Sequence, residues 1–228
     1  MEYTTCPFIN QSLMKYYLLS YSVTLDEIGF YPPTKGVPSG YNYDWLKGTR
    51  SMTKLNNREF PDFKPELLFE LEKNAKLTDA INPSNISANG LIVNHKLRQI
   101  FEGSIMKSHN FYEARVIYKS VSYDYFWLHF VKSDFQGIDL NRSIFYSTLM
   151  GVYEIEEVSF KNLEEAKQIM REKSCLIKPK KLVLDQEGAI NLKEVFYLPY
   201  IREIVVSERI YNQMKDEKIT GLEFKELL

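Results

Sequence analysis

Three histidines, two cysteines and a knot of carboxylates are the side chains here whose types could support catalysis or hold a metal. A cysteine beside a histidine can form a nucleophile with its base, and paired carboxylates can move protons or bind a hard cation. Cys6 and Cys175 lie far apart and neither belongs to a C-x-x-C, so a disulfide framework or zinc site is not expected. Each cysteine reads as an inert thiol in a reducing compartment. His129 falls inside "SYDYFWLHFVKS", apolar on both faces, and reads as a packed, hydrogen-bonded core histidine. His95, in the first turn of a helix, and His109, in a loop before a strand, read as solvated. A dyad with Cys175 would be assembled in space, so the sequence leaves it open.

The carboxylates cluster at "YEIEEV", which sets Glu154, Glu156 and Glu157 together, and Asp185 and Glu187 flank a later turn. Three readings stand: acid–base or metal chemistry, a solvated face, or an acidic surface complementary to a basic site on a partner. No recognised catalytic motif arbitrates. The glycines at 36 and 40 lack the glycine–lysine–hydroxyl ending of a phosphate loop. G-x-G-x-x-G, H-E-x-x-H and a nucleophile elbow are all missing from the sequence. No metal and no cofactor is expected.

The 228 residues suit one large domain or two small ones. Hydrophobic residues make up 44% and charged residues 26%, an ordinary globular balance. Residues 1–89 carry 9 basic and 10 acidic groups, and residues 90–228 carry 20 of each, so neither part offers the basic footprint that a nucleic-acid backbone requires. The apolar stretch "SLMKYYLLSYSVT" is too short to span a bilayer and is interrupted by Lys15, so no membrane contact is expected and the cytoplasm is the default.

The elements that must position these residues follow from periodicity. "KYYLLSYSV" alternates as a strand, with Tyr16, Leu18 and Ser20 opposite Tyr17, Leu19 and Tyr21. Residues 31–61 are turn-rich and read as an ordered surface arm pinned by Tyr41, Tyr43 and Trp45. "PELLFELEKN" fits a short helix or a strand; the strand is preferred, with a helical turn following at "KLTDAI". Leu91, Ile92 and Val93 form a short strand, Asn94 caps a helix whose apolar face is Leu97, Ile100 and Phe101, Gly103 ends it, and "FYEARVIY" alternates as a strand. The pattern recurs at the end of the chain. Ile204, Val205 and Val206 form a strand, Ser207 caps, Ile210 and Met214 line the helix, Gly221 turns, and "LEF" closes. Asn94 matches Ser207, Leu97 matches Ile210 and Phe101 matches Met214 at one constant offset. Helices of this length are marginal alone, so both are expected to lie on one common sheet. "SYDYFWLHFVKS" reads as a central strand covered on both sides. "NLEEAKQIMREK" reads as a helix capped by Asn162 and Glu165 and buried along Leu163, Ala166, Ile169 and Met170. "KLVLD" and "EVFYLPYI" read as strands around the turn "DQEGA". The fold class is α+β, a mixed or antiparallel sheet with a few short helices and two similar strand–helix–strand units at about 90–118 and 203–226.

The C-terminal "IVVSERIYNQMKDEKITGLEFKEL" resembles the signature of a bacterial polymorphic-toxin immunity family, the myxobacterial-type immunity domain first catalogued as a domain of unknown function. "GLIVNHKLRQIFEG" resembles the family's first such unit, with Asn94 where serine is commoner. "YFWLHFV" with "GIDLNRS" resembles its central strand and a turn containing Asp139 and Ser143, and "MKYYLLSYSV" resembles its usual start. The resemblance runs over about residues 14–228. It implies a leader or extra segment at 1–13, an N-terminal strand and turn-rich arm at 14–89 packing on the main fold, and a main α+β immunity-type domain at 90–228. It also implies a non-catalytic protein that neutralises a cognate protein toxin by stoichiometric binding; no catalytic residue carries over. Tyr41, Tyr43 and Trp45 with Glu154, Glu156 and Glu157 are then the expected partner-binding surface. The alternatives are an enzyme using histidine and carboxylates, in which case those groups must converge in one pocket, and a self-associating scaffold.

Overall fold

Alternation of apolar side chains along Tyr16–Tyr21 gives strand β1 two buried faces, and the fold is organised around that fact. The structure is a computed structural model. It describes residues 15–35, 55–56, 58–83, 86, 90–106, 108–131, 138–149, 153–183, 185, 194–198 and 203–227. After β1 and the short helix α1 (Leu25–Ile28) come strands β2 (Leu68–Glu70), β3 (Ala80–Ile81) and β4 (Gly90–Val93). Helix α2 (His95–Glu102) leads into the long hairpin β5 (His109–Tyr118) and β6 (Val121–Phe130). Strands β7 (Ile144–Leu149) and β8 (Tyr153–Val158), helix α3 (Leu163–Glu172) and β9 (Leu176–Lys181) follow. The chain closes with β10 (Val195–Leu198), β11 (Glu203–Ser207), α4 (Glu208–Asp216) and β12 (Leu222–Leu227).

These strands form three sheets, in the orders β10-β11-β1-β12, β2-β5-β6-β4-β3 and β8-β7-β9. The first and third are antiparallel, and the second is mixed because β2 runs parallel to β5. The class is therefore α+β, as the periodicity indicates.

The two similar units do not share a sheet. β4 and β5 flank β6, whereas β11 and β12 flank β1, and each flanking strand is antiparallel to the strand between. Each unit is thus a parallel strand–helix–strand split by an inserted antiparallel strand, once by the strand that follows it and once by β1, the first of the described strands. What the units share is a core. Leu97, Ile100 and Phe101 of α2 meet Ile210 and Met214 of α4 in one buried cluster with Leu91, Val93, Leu128, Val206, Tyr17 and Leu19. Each helix has a single apolar face and cannot cover a sheet alone, so the two pack together between the sheets and bury both faces at once.

Local chemistry sets the helix starts. The Asn94 side chain accepts a hydrogen bond from the Leu97 N–H at 3.0 Å, and Ser207 Oγ accepts from the Ile210 N–H at 3.5 Å. Asp79 fastens one unit to the other. Its carboxylate accepts from Asn94 Nδ2 at 2.7 Å and from both the Thr220 N–H and Oγ1 at 2.8 Å. One side chain thereby joins the cap of α2 to the turn before β12. In that turn Gly221 has φ +86°, and a Cβ there would lie 2.1 Å from the Ala80 carbonyl oxygen, so neither conformation nor space admits a side chain.

β6 sits in the middle of its sheet as expected. Leu128 and Phe130 face the helices, while Tyr125 and Trp127 face a second core with Phe69, Ile92, Ala114 and Val116. A third core lies under α3, where Ala166 is buried with Phe145, Ile177 and Val205, and Leu163, Ile169 and Met170 pack against it. Two local expectations change. "KLTDAI" holds no helical turn; it ends in β3, whose Ala80 and Ile81 pair with Val93 and Ile92, because the ladder offered by β4 outweighs local preference. The strand expected at "KLVLD" lies earlier, at Leu176–Lys181, and contains Pro179, which an edge strand tolerates.

Candidate interaction surface

Glu154, Glu156 and Glu157 all lie on β8, the outer strand of the three-stranded sheet. β8 forms because it continues a hairpin from β7: Phe145 pairs with Val158 and Leu149 with Tyr153. The register shifts on the way. Ser147 opposes Glu156 and Thr148 opposes Glu154, so Ile155 is an extra residue without a partner, a bulge that pushes its side chain outward. Only Val158 is partly buried. Tyr153 is 68% exposed and Ile155 57%, and Leu149, across the ladder from Tyr153, adds further exposed apolar surface.

The carboxylates are not a bare negative patch. Lys173, at the C-cap of α3, holds Glu156 at 2.6 Å. Lys180 of β9 lies 3.6 Å from Glu154 and 3.7 Å from Glu157. α3 places Lys173 through its own start: the Asn162 side chain accepts from the Glu165 N–H at 3.0 Å, and the Glu165 carboxylate accepts from the Lys161 N–H at 2.6 Å. All the charged partners at β8 are about half exposed, and such pairs hold weakly, at roughly 0–1 kcal/mol each. The surface is thus a solvated edge strand with alternating apolar and ion-paired acidic side chains. Sequence reasoning found the acids and missed the apolar half. The signal was present in "YEIEEV", where Tyr153 and Ile155 are interleaved with the acids. Tyr41, Tyr43, Trp45 and Glu187 lie outside the described residues.

The other chemically capable groups among the described residues do not gather. His95 starts α2 and stands over Phe126 at 6.0 Å. His109 is the first residue of β5, not a loop residue, and meets Phe111 at 5.8 Å; partial burial holds its pKa below the usual histidine value. His129 pairs with Asn110 rather than His109, so it lies on the opposite face of the sheet from His109. His129 is fully buried and stacked on Trp127 at 4.2 Å, with Phe60 edge-on at 5.6 Å. Its Nε2 lies 2.8 Å from the Asn56 carbonyl oxygen, which can only accept, so Nε2 carries the proton and donates. Nδ1 is left bare, buried and without a hydrogen-bond partner. Burial pushes the His129 pKa down to about 4, so at neutral pH the ring is uncharged.

Cys175 is buried just before β9, in the third sheet, whereas all three histidines belong to the five-stranded sheet and its helix, so the open possibility of a cysteine–histidine dyad gains nothing. A shallow groove between Pro61–Lys64 and Phe111–Glu113 contains none of these groups. Among the described residues no three histidine, cysteine or carboxylate side chains are placed to hold a metal ion, and no helix is long and apolar enough to cross a membrane.

An α+β scaffold with scattered histidines and an open, amphipathic edge strand is the setting in which the sequence comparison falls. Residues 32–228 match the immunity protein family (Imm11), and the chain belongs to that family. No curated protein matches the chain.

Proposed function

We propose that this protein neutralises a cognate bacterial toxin by binding it stoichiometrically, and that it turns nothing over. The observation that carries the proposal is the family match over residues 32–228, together with the dispersal of His95, His109 and His129 over different elements and opposite sheet faces. Its partner-binding residues include Tyr153, Ile155 and the three glutamates of β8, and also Tyr41, Tyr43 and Trp45. The toxin is the protein partner, neither nucleic acid nor membrane takes part, and the cytoplasm is the place of action. A stable complex of this kind needs roughly 800 Å² buried on each side, with aromatic anchors near its centre.

Titration of the toxin encoded beside this gene separates the proposal from an enzymatic one. Stoichiometric binding leaves half the toxin active when half a molar equivalent of this protein is added, and calorimetry then gives one-to-one stoichiometry. If a few hundredths of an equivalent inactivate all of the toxin, the protein is a catalyst and the proposal falls.

A further inference from the structure

β8 is an exposed edge strand. It ends its sheet, five of its six residues are exposed, and its outer edge presents backbone N–H and C=O groups that another extended chain can pair. The bulge at Ile155 and three glutamates blunt this edge against indiscriminate pairing, yet Tyr153 and Ile155 stay in solvent, with Leu149 directly across from Tyr153. Its charges decide which occupant fits. A second copy pairing antiparallel about Glu156 would set that carboxylate directly against its own counterpart. Directly opposed like charges destabilise a ladder, so the edge selects against its own kind. The same carboxylates select for cations. Lys173 and Lys180 already show the complementary chemistry, holding Glu156, Glu154 and Glu157 through exposed pairs weak enough to exchange.

We infer that β8 binds by strand addition an extended segment of the toxin in which lysine or arginine alternates with apolar residues. The incoming main chain pairs with the β8 edge, its cations on one face take Glu154 and Glu157 from Lys180, and its apolar residues on the other face cover Tyr153. This rests on the neutralisation proposal for the identity of the partner but not for the chemistry of the edge.

Two arms test it. In the first, a hexapeptide alternating lysine and valine is titrated against the isotope-labelled protein. The expected result is that amide resonances of residues 153–158 shift and their hydrogen exchange slows, that a peptide alternating glutamate and valine leaves them unmoved, and that the E154Q/E156Q/E157Q variant loses the response. Shifts equal for both peptides, or none on β8, overturn the inference, as does β8 protection that rises with protein concentration alone, which would make a second copy the occupant. In the second arm the neighbouring toxin replaces the peptide, and the triple variant is expected to bind at least tenfold more weakly. If wild type binds the toxin and the variant binds equally well, strand addition at β8 falls while stoichiometric neutralisation stands. If the lysine–valine peptide binds β8 and the toxin does not bind at all, neutralisation falls and the chemistry of the edge stands.

Discussion

Acidification should destabilise this protein through one side chain before most of its carboxylates matter. His129 is fully buried between Trp127 and Phe60, with Nε2–H donated to Asn56 and Nδ1 unpartnered. Its pKa falls from 6.5 to about 4 on folding, with desolvation the main cause and the bond to Asn56 opposing it. The folded chain therefore holds the ring neutral, while the unfolded chain binds a proton readily below pH 6.5. Stability is complete above that pH and is lost as pH falls from 6.5 towards 4. A difference of this size corresponds to about 3 kcal/mol in full, of which about 2 kcal/mol has gone by pH 5. That is a large share of the roughly 5–15 kcal/mol that holds a domain together. The assay is urea unfolding followed by circular dichroism at pH 7 and pH 5, for wild type and for His129→Phe, which cannot take up a proton. The variant starts less stable because it abandons the Asn56 carbonyl, but it should lose about 2 kcal/mol less than wild type between the two pH values. His109 and the carboxylates titrate in both proteins and cancel in the comparison. Parallel losses in the two proteins would refute the account.

Asp79 and the β5–β6 turn give two further tests. Asp79→Ala removes three hydrogen bonds that join the cap of α2 to the turn before β12, and should lower the unfolding free energy by about 3 kcal/mol in urea; a loss under about 1 kcal/mol would mean that the two units hold their places independently. At the hairpin tip Lys119 (φ 49°) and Ser120 (φ 66°) both occupy the left-handed region that glycine and asparagine tolerate best, so the double substitution Lys119→Asn with Ser120→Gly should stabilise by about 1 kcal/mol and raise Tm by roughly 2–4 °C in calorimetry. An unchanged or lower Tm would mean that the native pair is not strained there.

What the sequence disclosed was whatever local chemistry determines. Asn94 and Ser207 announce helix starts because the capping bond closes within three residues, and Leu97 and Ile210 follow at a spacing only a helix brings to one face. His129 reads correctly as a core residue because its neighbours at every second position are apolar. What stayed hidden is non-local. Nothing around Ile204 says that its neighbour across the ladder is Leu19, so the two similar units looked like parts of one sheet when each has its own, one split by the next strand and the other by β1. Ala80 and Ile81 became a strand only because Val93 and Ile92 lie beside them. The acidic cluster was visible in sequence, but the lysines that accompany it arrive from the end of α3 and from β9, and its exposure follows from a sheet order no spacing records.

The insertion of β1 between β11 and β12 has a consequence for synthesis. Tyr16–Tyr21 leaves the ribosome early, yet both of its ladder partners lie beyond residue 202. At translation rates of about 5–20 residues per second, a sticky apolar hexapeptide waits roughly ten to forty seconds for its seat. Until then the four-stranded sheet cannot close, so an interrupted or truncated message yields a chain that chaperones and proteases can recognise. Only a molecule translated to its final strand becomes competent, which ties the supply of working protein to complete translation.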